Sequence, residues 1–145
     1  MAYAYFDTSA LIKRYVNEPG RRDVVQLLRK NDCVVSAVLP VEVRSTLRRR
    51  AAEGTLEENR VPSILKRFTA DRAFWTFIEV SREVLAVAET LGALHPLRAL
   101  DAIHLASAQL FAARIVSPAF AFVSADNRQI TAAKALRITT RFIES

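Results

Sequence analysis

The stretch that decides the fold is AYAYFDTSALIK at residues 2–13. Its first part, Tyr3 to Phe6, is a short apolar run that predicts a buried β-strand. The next residue is an aspartate, and Thr8 or Ser9 is placed to cap a helix that runs towards Val16. A strand that leads directly into a helix is the building unit of an α/β protein. The aspartate is therefore expected at the carboxyl end of a strand.

The same alternation of short apolar runs and longer amphipathic segments continues along the chain. It predicts an α/β fold in which a central, mostly parallel sheet lies between two layers of helices. The chain has no repeat or linker, so residues 1–145 are expected to form one domain. Predicted strands cover residues 3–6, 33–36, 74–80, 120–124 and 138–143. Predicted helices cover residues 22–30, 82–91, 101–113 and 128–136, with 40–52 and 56–73 as a hairpin that protrudes from the sheet.

The composition excludes several classes of protein. The net charge of +6 favours a polyanionic partner such as nucleic acid, although solubility alone is a simpler explanation. Cys33 is the only cysteine, which excludes an internal disulfide and a cysteine-rich zinc site and suits a reducing cytoplasm. No apolar run approaches the roughly 18 residues that span a bilayer, and no signal peptide is evident. We therefore expect a cytoplasmic protein that does not contact the membrane.

Four acidic residues lie in apolar sequence, where an unpaired carboxylate is unfavourable. Asp7 and Asp126 come just past predicted strands, Asp101 opens a helix, and Glu42 lies in the first turns of another. Since sites in parallel sheets lie beyond the carboxyl ends of the strands, we expect these side chains to converge. Two carboxylates about 4 Å apart repel by about 4 kcal/mol at an effective dielectric of 20. A cation is expected among them, as one or two Mg²⁺ or Mn²⁺ ions that activate water for phosphate chemistry.

Simpler interpretations of the acidic residues stay open. Asp101 and Asp126 are each placed to be an N-cap and nothing more. The other eleven acidic residues are expected to be solvated, among them Glu18 in a turn.

Four motifs resemble those of a known family. They are DTSALIK at residues 7–13, VEVR at 41–44, DAIHLA at 101–106 and VSAD at 123–126. In this order and spacing they are similar to the successive motifs of the PIN domain, and more narrowly to those of VapC toxins of toxin–antitoxin systems. Two departures are Gln129, where an apolar residue is usual, and the segment 135–138, which lacks the customary glycine.

The resemblance implies a PIN-like three-layer α/β/α sandwich and a Mg²⁺- or Mn²⁺-dependent endoribonuclease. It implies that Asp7 and Asp101 bind metal directly, while Glu42 and Asp126 bind a second ion or act through water. It also implies RNA products with a 5′-phosphate and a 3′-hydroxyl, silencing by a cognate antitoxin protein, and pairing into a homodimer.

Residues near the four acids have candidate supporting roles. We expect one of Thr8 and Ser9 to cap the first helix and the other to bond Asp7 or a metal-bound water. His104 lies one turn after Asp101, where it is either a proton donor facing the site or a packing residue with satisfied ring nitrogens.

Arg44 and Arg48 are an i,i+4 pair on the helix that carries Glu42. They are candidates for contacts with RNA phosphates, and a solvated basic face is the competing interpretation.

Two other functions compete with RNA cleavage. A phosphatase of the haloacid dehalogenase type needs a second acid two positions after Asp7, but this position is Ser9. A non-catalytic PIN-fold module that binds RNA or protein is the second alternative, and the presence of all four acids counts against it. Nucleotide-cofactor enzymes are disfavoured because the chain has three glycines and no glycine-rich phosphate loop.

Overall fold

The computed structural model describes residues 2–116 and 119–145. Its sheet consists, within these residues, of strands β1 (Tyr3–Phe6), β2 (Asp32–Ser36), β3 (Thr76–Ile78), β4 (Phe120–Ser124) and β5 (Thr140–Phe142). The spatial order is β3-β2-β1-β4-β5, and every neighbouring pair is parallel. The predicted parallel sheet is confirmed, and β1 occupies its centre. The outer strands β3 and β5 are shorter than predicted.

The described helices are α1 (Thr8–Leu11), α2 (Arg21–Lys30), α3 (Leu39–Ala52), α4 (Val61–Arg72), α5 (Arg82–Leu94), α6 (Ala99–Arg114) and α7 (Asn127–Ala135). The first is shorter than predicted, because Ile12–Arg14 tightens into a 3₁₀ turn in which the Tyr15 amide donates to the Ile12 carbonyl over 3.0 Å. A second 3₁₀ turn, Glu58–Arg60, precedes α4. Among the described residues, no helix combines the length and the apolar character that crossing a membrane requires.

Side chains of β1 alternate between two cores, one on each face of the sheet. Ala4 and Phe6 pack with buried side chains of α1 to α4, whereas Tyr5 packs with those of α5 to α7. Tyr5 stacks on Phe122 of β4, with ring centroids 5.6 Å apart. Each fully buried aromatic side chain of this kind contributes about 1.5–3 kcal/mol to stability. The predicted three-layer sandwich is confirmed.

Helices α3 and α4 form the predicted hairpin. Pro40 lies in the first turn of α3, where a backbone N–H has no partner within the helix, so its missing N–H costs no helical hydrogen bond. Leu47, Ile64 and Phe68 are buried and fix the hairpin to the core, while its tip at residues 53–55 is exposed.

Candidate active site

Asp7 lies at the carboxyl end of β1 and caps helix α1. Its backbone is extended, with φ −79° and ψ 172°, which directs its side chain towards the free N–H groups of the first turn. Oδ1 accepts hydrogen bonds from the Ala10 amide at 3.0 Å and from Ser9 Oγ at 2.7 Å, and Oδ2 accepts one from Ser124 Oγ at 2.5 Å. The prediction that Thr8 or Ser9 caps this helix is wrong, because Asp7 occupies the capping position.

The carboxylate of Asp7 is buried without a cationic side chain beside it. It is 3% exposed, and within residues 2–116 and 119–145 no Lys or Arg forms an ion pair with it. Burial raises the pKa of Asp7 above its ordinary value, although His104 and the hydrogen bonds from Ser124, Ser9 and Ala10 lower it. A cation at this carboxylate offsets the unfavourable burial of its charge.

Glu42, in the first turn of α3, is held by two side chains. Thr8 Oγ1 donates to Glu42 Oε1 over 2.8 Å, and His104 Nε2 lies 2.5 Å from the same oxygen. Burial acts to raise the pKa of Glu42, but the contacts with His104 and Thr8 outweigh it, so the pKa lies below its ordinary value. Both bonds use Oε1, which leaves Oε2 as the oxygen that can accept a ligand.

His104 connects Glu42 to the core. The ring is 1% exposed, and its Nδ1 lies 2.8 Å from the hydroxyl of Tyr5. Burial, and then the negative charge of Asp7, raise the pKa of Tyr5 well above its ordinary value. The tyrosine therefore keeps its proton, and its hydroxyl fixes one ring nitrogen of His104 while the other, Nε2, faces Glu42. The packing interpretation of His104 is right, and the same residue contacts one of the four acids.

Asp101 and Asp126 differ in their local roles. Asp101 lies in the first turn of α6, whose N-cap is Arg98, so the capping interpretation is wrong for Asp101. Burial raises the pKa of Asp101, and so do the charges of Asp126 and Glu42, which places each of these two acids within electrostatic reach of Asp101. Asp126 is the N-cap of α7, since its Oδ1 accepts from the Arg128 amide at 2.9 Å.

Ser124 is a site residue that was not predicted. This last residue of β4 is fully buried, donates to Asp7 Oδ2 and accepts a hydrogen bond from the Asp126 amide at 3.0 Å. Ser9 makes a parallel link, because its Oγ also accepts from the Ala125 amide at 3.0 Å. The two serines thus join the acids at the ends of neighbouring strands. The sequence feature that could have indicated Ser124 is its position as a polar residue at the end of a predicted apolar strand.

The four acids share one edge of the sheet but do not form a closed set of metal ligands. In the part of the chain that the structure describes, no three acidic, histidine or cysteine side chains are grouped closely enough to hold an ion by themselves. Mg²⁺ commonly takes only one or two protein carboxylates and completes its coordination with water and substrate phosphate. The unpaired carboxylate of Asp7 and the raised pKa of Asp101 fit an ion of this kind.

Arg44 and Arg48 line a different feature of the molecule. Both are exposed on α3 and border a cleft of about 360 Å³ together with Val61 and Leu65 of α4. None of the four acids lines this cleft. Contact of these arginines with RNA phosphates stays a prediction.

A comparison with family models places the site in a known context. The sequence model of the PIN domain family matches residues 4–135. This range contains all four acids and their hydrogen-bonding partners. The chain belongs to the PIN domain family. The resemblance inferred from the four motifs is thereby confirmed.

Individual relatives of this PIN domain agree with the assignment. Ribonuclease VapC35 of Mycobacterium tuberculosis is 36% identical over 140 residues, which cover 92% of each chain. Ribonuclease VapC47 of the same organism is 30% identical over 141 residues, covering 94% of this chain and 93% of the relative. A solved toxin–antitoxin complex from Klebsiella pneumoniae shares the fold, with a TM-score of 0.61 at 21% identity over 88% of this chain and 89% of that chain.

Proposed function

We propose that this PIN domain is a metal-dependent endoribonuclease that hydrolyses phosphodiester bonds in RNA. The observation that carries the proposal is the buried carboxylate of Asp7, held by Ser9 and Ser124 at the end of the central strand. A carboxylate fixed in this way is oriented before any ligand arrives, which is a general requirement for efficient catalysis. The similarity to two proteins named as ribonucleases supports the reaction class.

Each acid has a distinct part in the proposed mechanism. Asp7 and Asp101 would hold Mg²⁺ or Mn²⁺, and the ion would supply a Lewis acid for phosphate chemistry. Glu42 would contribute through Oε2, because Thr8 and His104 hold its other oxygen. Asp126 keeps its capping bond to α7 and adds negative charge near Asp101, so we expect it to act through water.

The proposal is tested by cleavage of RNA by purified protein in Mg²⁺ or Mn²⁺. We expect cleavage that EDTA abolishes and that falls by more than about 100-fold in Asp7→Asn and in Asp101→Asn. The loss should exceed the roughly 10–100-fold effect typical of removing a residue that only supports a metal ligand. Mapping the ends of the products tests the expected 5′-phosphate and 3′-hydroxyl.

Glu89→Gln is the matched control, because Glu89 is an exposed carboxylate on α5. This variant should cleave RNA at the wild-type rate, and circular dichroism should show that all variants fold. Cleavage at the wild-type rate by both aspartate variants would contradict the metal-site mechanism.

The proposed partners are RNA as substrate and an antitoxin protein as inhibitor. The antitoxin is supported by the structural similarity to a toxin–antitoxin complex. We expect a cognate antitoxin to suppress the cleavage described above. Pairing into a homodimer and a cytoplasmic location both stay predictions. The presence of all four acids in the sequence argues against a non-catalytic module.

A further inference from the structure

The net positive charge of the chain comes from one segment of the sequence. Residues 13–72 contain 14 of the 21 Lys and Arg residues and 8 of the 15 Asp and Glu residues, a net charge of +6. The rest of the chain contains seven of each and is neutral. The helices of this segment cover the sheet face against which Phe6 packs. One face of the sandwich is therefore basic.

A cleft on this basic face is surrounded by arginine side chains. Its volume is about 630 Å³, and no acidic residue is among those that line it. Only one of its four arginines, Arg14, has an ion-pair partner among the described residues, which is Asp71 at 3.9 Å. The other three are Arg21, Arg22 and Arg29. Because like charges gathered in one cleft repel, this arrangement favours a bound anion.

A second cleft continues from the first and is lined by aromatic side chains. Its volume is about 460 Å³, and it shares Arg14 and Arg29 with the arginine cleft. Phe74 stands at this cleft with 89% of its surface exposed. Trp75 lies beside it and is held from behind by Phe68, with ring centroids 5.7 Å apart. An exposed ring next to a supported ring is a surface on which a planar base can stack.

The polar side chains of the aromatic cleft suit the edge of a base more than a phosphate. Asn31, Asp32 and Asp71 all line it. Asp71 is already bonded, since it accepts from the Tyr15 hydroxyl at 2.6 Å. Asn31 Nδ2 donates to the Leu27 carbonyl at 2.9 Å, so the Asn31 amide oxygen and the Asp32 carboxylate are the groups that can accept hydrogen bonds from base amino groups.

We infer that the two clefts together bind single-stranded RNA, with phosphates among the arginines and a base in the aromatic cleft. This inference rests on the proposed function, since it takes RNA as the substrate. Aromatic rings beside positively charged grooves are the general means by which proteins hold single strands. Paired bases in a duplex are stacked and are not available to such rings.

The aromatic cleft lies at the amino ends of the strands, and the acidic site lies beyond their carboxyl ends. Asp32 begins β2 and Trp75 directly precedes β3, whereas the four acids lie beyond the carboxyl ends of the strands. Strand β2 has five residues, or about 16 Å at about 3.3 Å per residue. A dinucleotide is too short to occupy both places, so the clefts should affect long substrates only.

The test measures RNA binding by the Asp7→Asn protein, which should bind RNA without cleaving it. The probes are an unstructured 15-nucleotide RNA and a duplex of the same length, each at several salt concentrations. Adding Phe74→Ala should weaken binding of the single strand about tenfold and leave duplex binding unchanged. Adding Arg22→Gln with Arg29→Gln should reduce the slope of log affinity against log salt by about 1.4, since each phosphate contact contributes about 0.7.

Matched control variants remove an apolar side chain and two positive charges from the opposite face of the sheet, which α5 to α7 cover. Leu94→Ala removes an exposed apolar side chain from α5, and Arg82→Gln with Lys134→Gln removes two exposed charges. Neither should change the affinity or the salt slope beyond measurement error. Circular dichroism checks that every variant folds, and the arginine variants test the inference independently if Phe74→Ala disturbs folding.

Two results would overturn the inference. One is unchanged binding of the single strand by Phe74→Ala and by the double arginine variant. The other is normal RNA binding with loss of antitoxin binding, which would assign the face to a protein partner. Absence of any cleavage by the wild type would contradict the proposed function alone, because the binding measurement does not depend on turnover.

Discussion

The two carboxylate oxygens of Asp7 have two tasks. They accept hydrogen bonds that cap helix α1, and they are proposed to bind a metal ion. Oδ1 accepts the capping bond from the Ala10 amide, and Oδ2 accepts the bond from Ser124. An asparagine at this position keeps one oxygen acceptor for the cap but carries no charge. The Asp7→Asn variant therefore separates folding from metal binding better than alanine, which would lose the cap and about 1 kcal/mol with it.

Thr8 is expected to support activity through Glu42. Thr8→Val removes the hydroxyl that donates to Glu42 Oε1, and we expect activity to fall by about 10–100-fold, the usual effect of losing a partner of a metal ligand. Thr8→Ser keeps the hydroxyl and should restore most of the rate. Initial rates of RNA cleavage measure both effects, with Thr90→Val on the exposed face of α5 as the control. Equal rates for Thr8→Val and Thr8→Ser would show that the bond has no part in catalysis.

The acids of the candidate site were predicted from the sequence, but most of their hydrogen-bonding partners could not be. Each acid interrupts an apolar run, which is a local signal. Ser124 donates to Asp7 across 117 positions of the chain, and His104 meets Glu42 across 62. Such pairings depend on how strands and helices pack in three dimensions, so no local pattern contains them.

At the scale of the elements, one acid joins the turn after α1 to the hairpin. Glu18 accepts from Lys13 Nζ at 3.1 Å and from Arg50 of α3 at 2.6 Å. Lys13 is 3% exposed, so its charge depends on this carboxylate and on the Pro19 carbonyl. The prediction that Glu18 is simply solvated is wrong, because its carboxylate bonds both Lys13 and Arg50 and so connects the turn after α1 to α3.

Replacing Glu18 should destabilise the protein in a pH-dependent manner. Burial acts to raise the pKa of Glu18, but the contacts with Arg50 and Lys13 outweigh it and lower the pKa. A lowered pKa means that the stabilisation is present above the pKa of the unfolded chain, about 4.3, and is lost as the pH falls through the folded value. We expect Glu18→Gln to lose about 2 kcal/mol of unfolding free energy at pH 7.

Urea denaturation at pH 7 and at pH 3.5 measures this difference. The loss should shrink at the lower pH, where the wild-type carboxylate also becomes protonated. Glu53→Gln, at the exposed tip of the hairpin, is the control and should change stability little at either pH. A loss of the same size at both pH values would exclude an electrostatic origin.

At the scale of the whole molecule, the strand order places the acidic site at the point where the chain changes direction across the sheet. β1 is flanked by β2 on one side and by β4 on the other, so loops from both halves of the chain meet above it. Crevices of this kind are the usual ligand sites of open parallel sheets. The sequence predicted the parallel sheet from its alternation, whereas the order of the strands required the structure.

Binding of metal should stabilise the entire fold. An ion that binds only the folded protein adds about 2.7 kcal/mol to the free energy of unfolding at 100 times its dissociation constant. Thermal unfolding with increasing Mn²⁺ should therefore show a rising midpoint for the wild type and for Glu89→Gln. In Asp7→Asn the rise should be much smaller. An equal rise in Asp7→Asn would mean that the ion binds elsewhere.

The pairing of β1 with β4 also governs when activity can arise during synthesis. Tyr3 to Phe6 pair with Phe120 to Val123, so β1 gains this neighbour only after the long intervening segment has been made. Asp7 gains its bond from Ser124 only when that partner arrives. During synthesis, the candidate site therefore cannot be complete until residue 124 has been made and β4 has joined the sheet, long after Asp7 itself has been made.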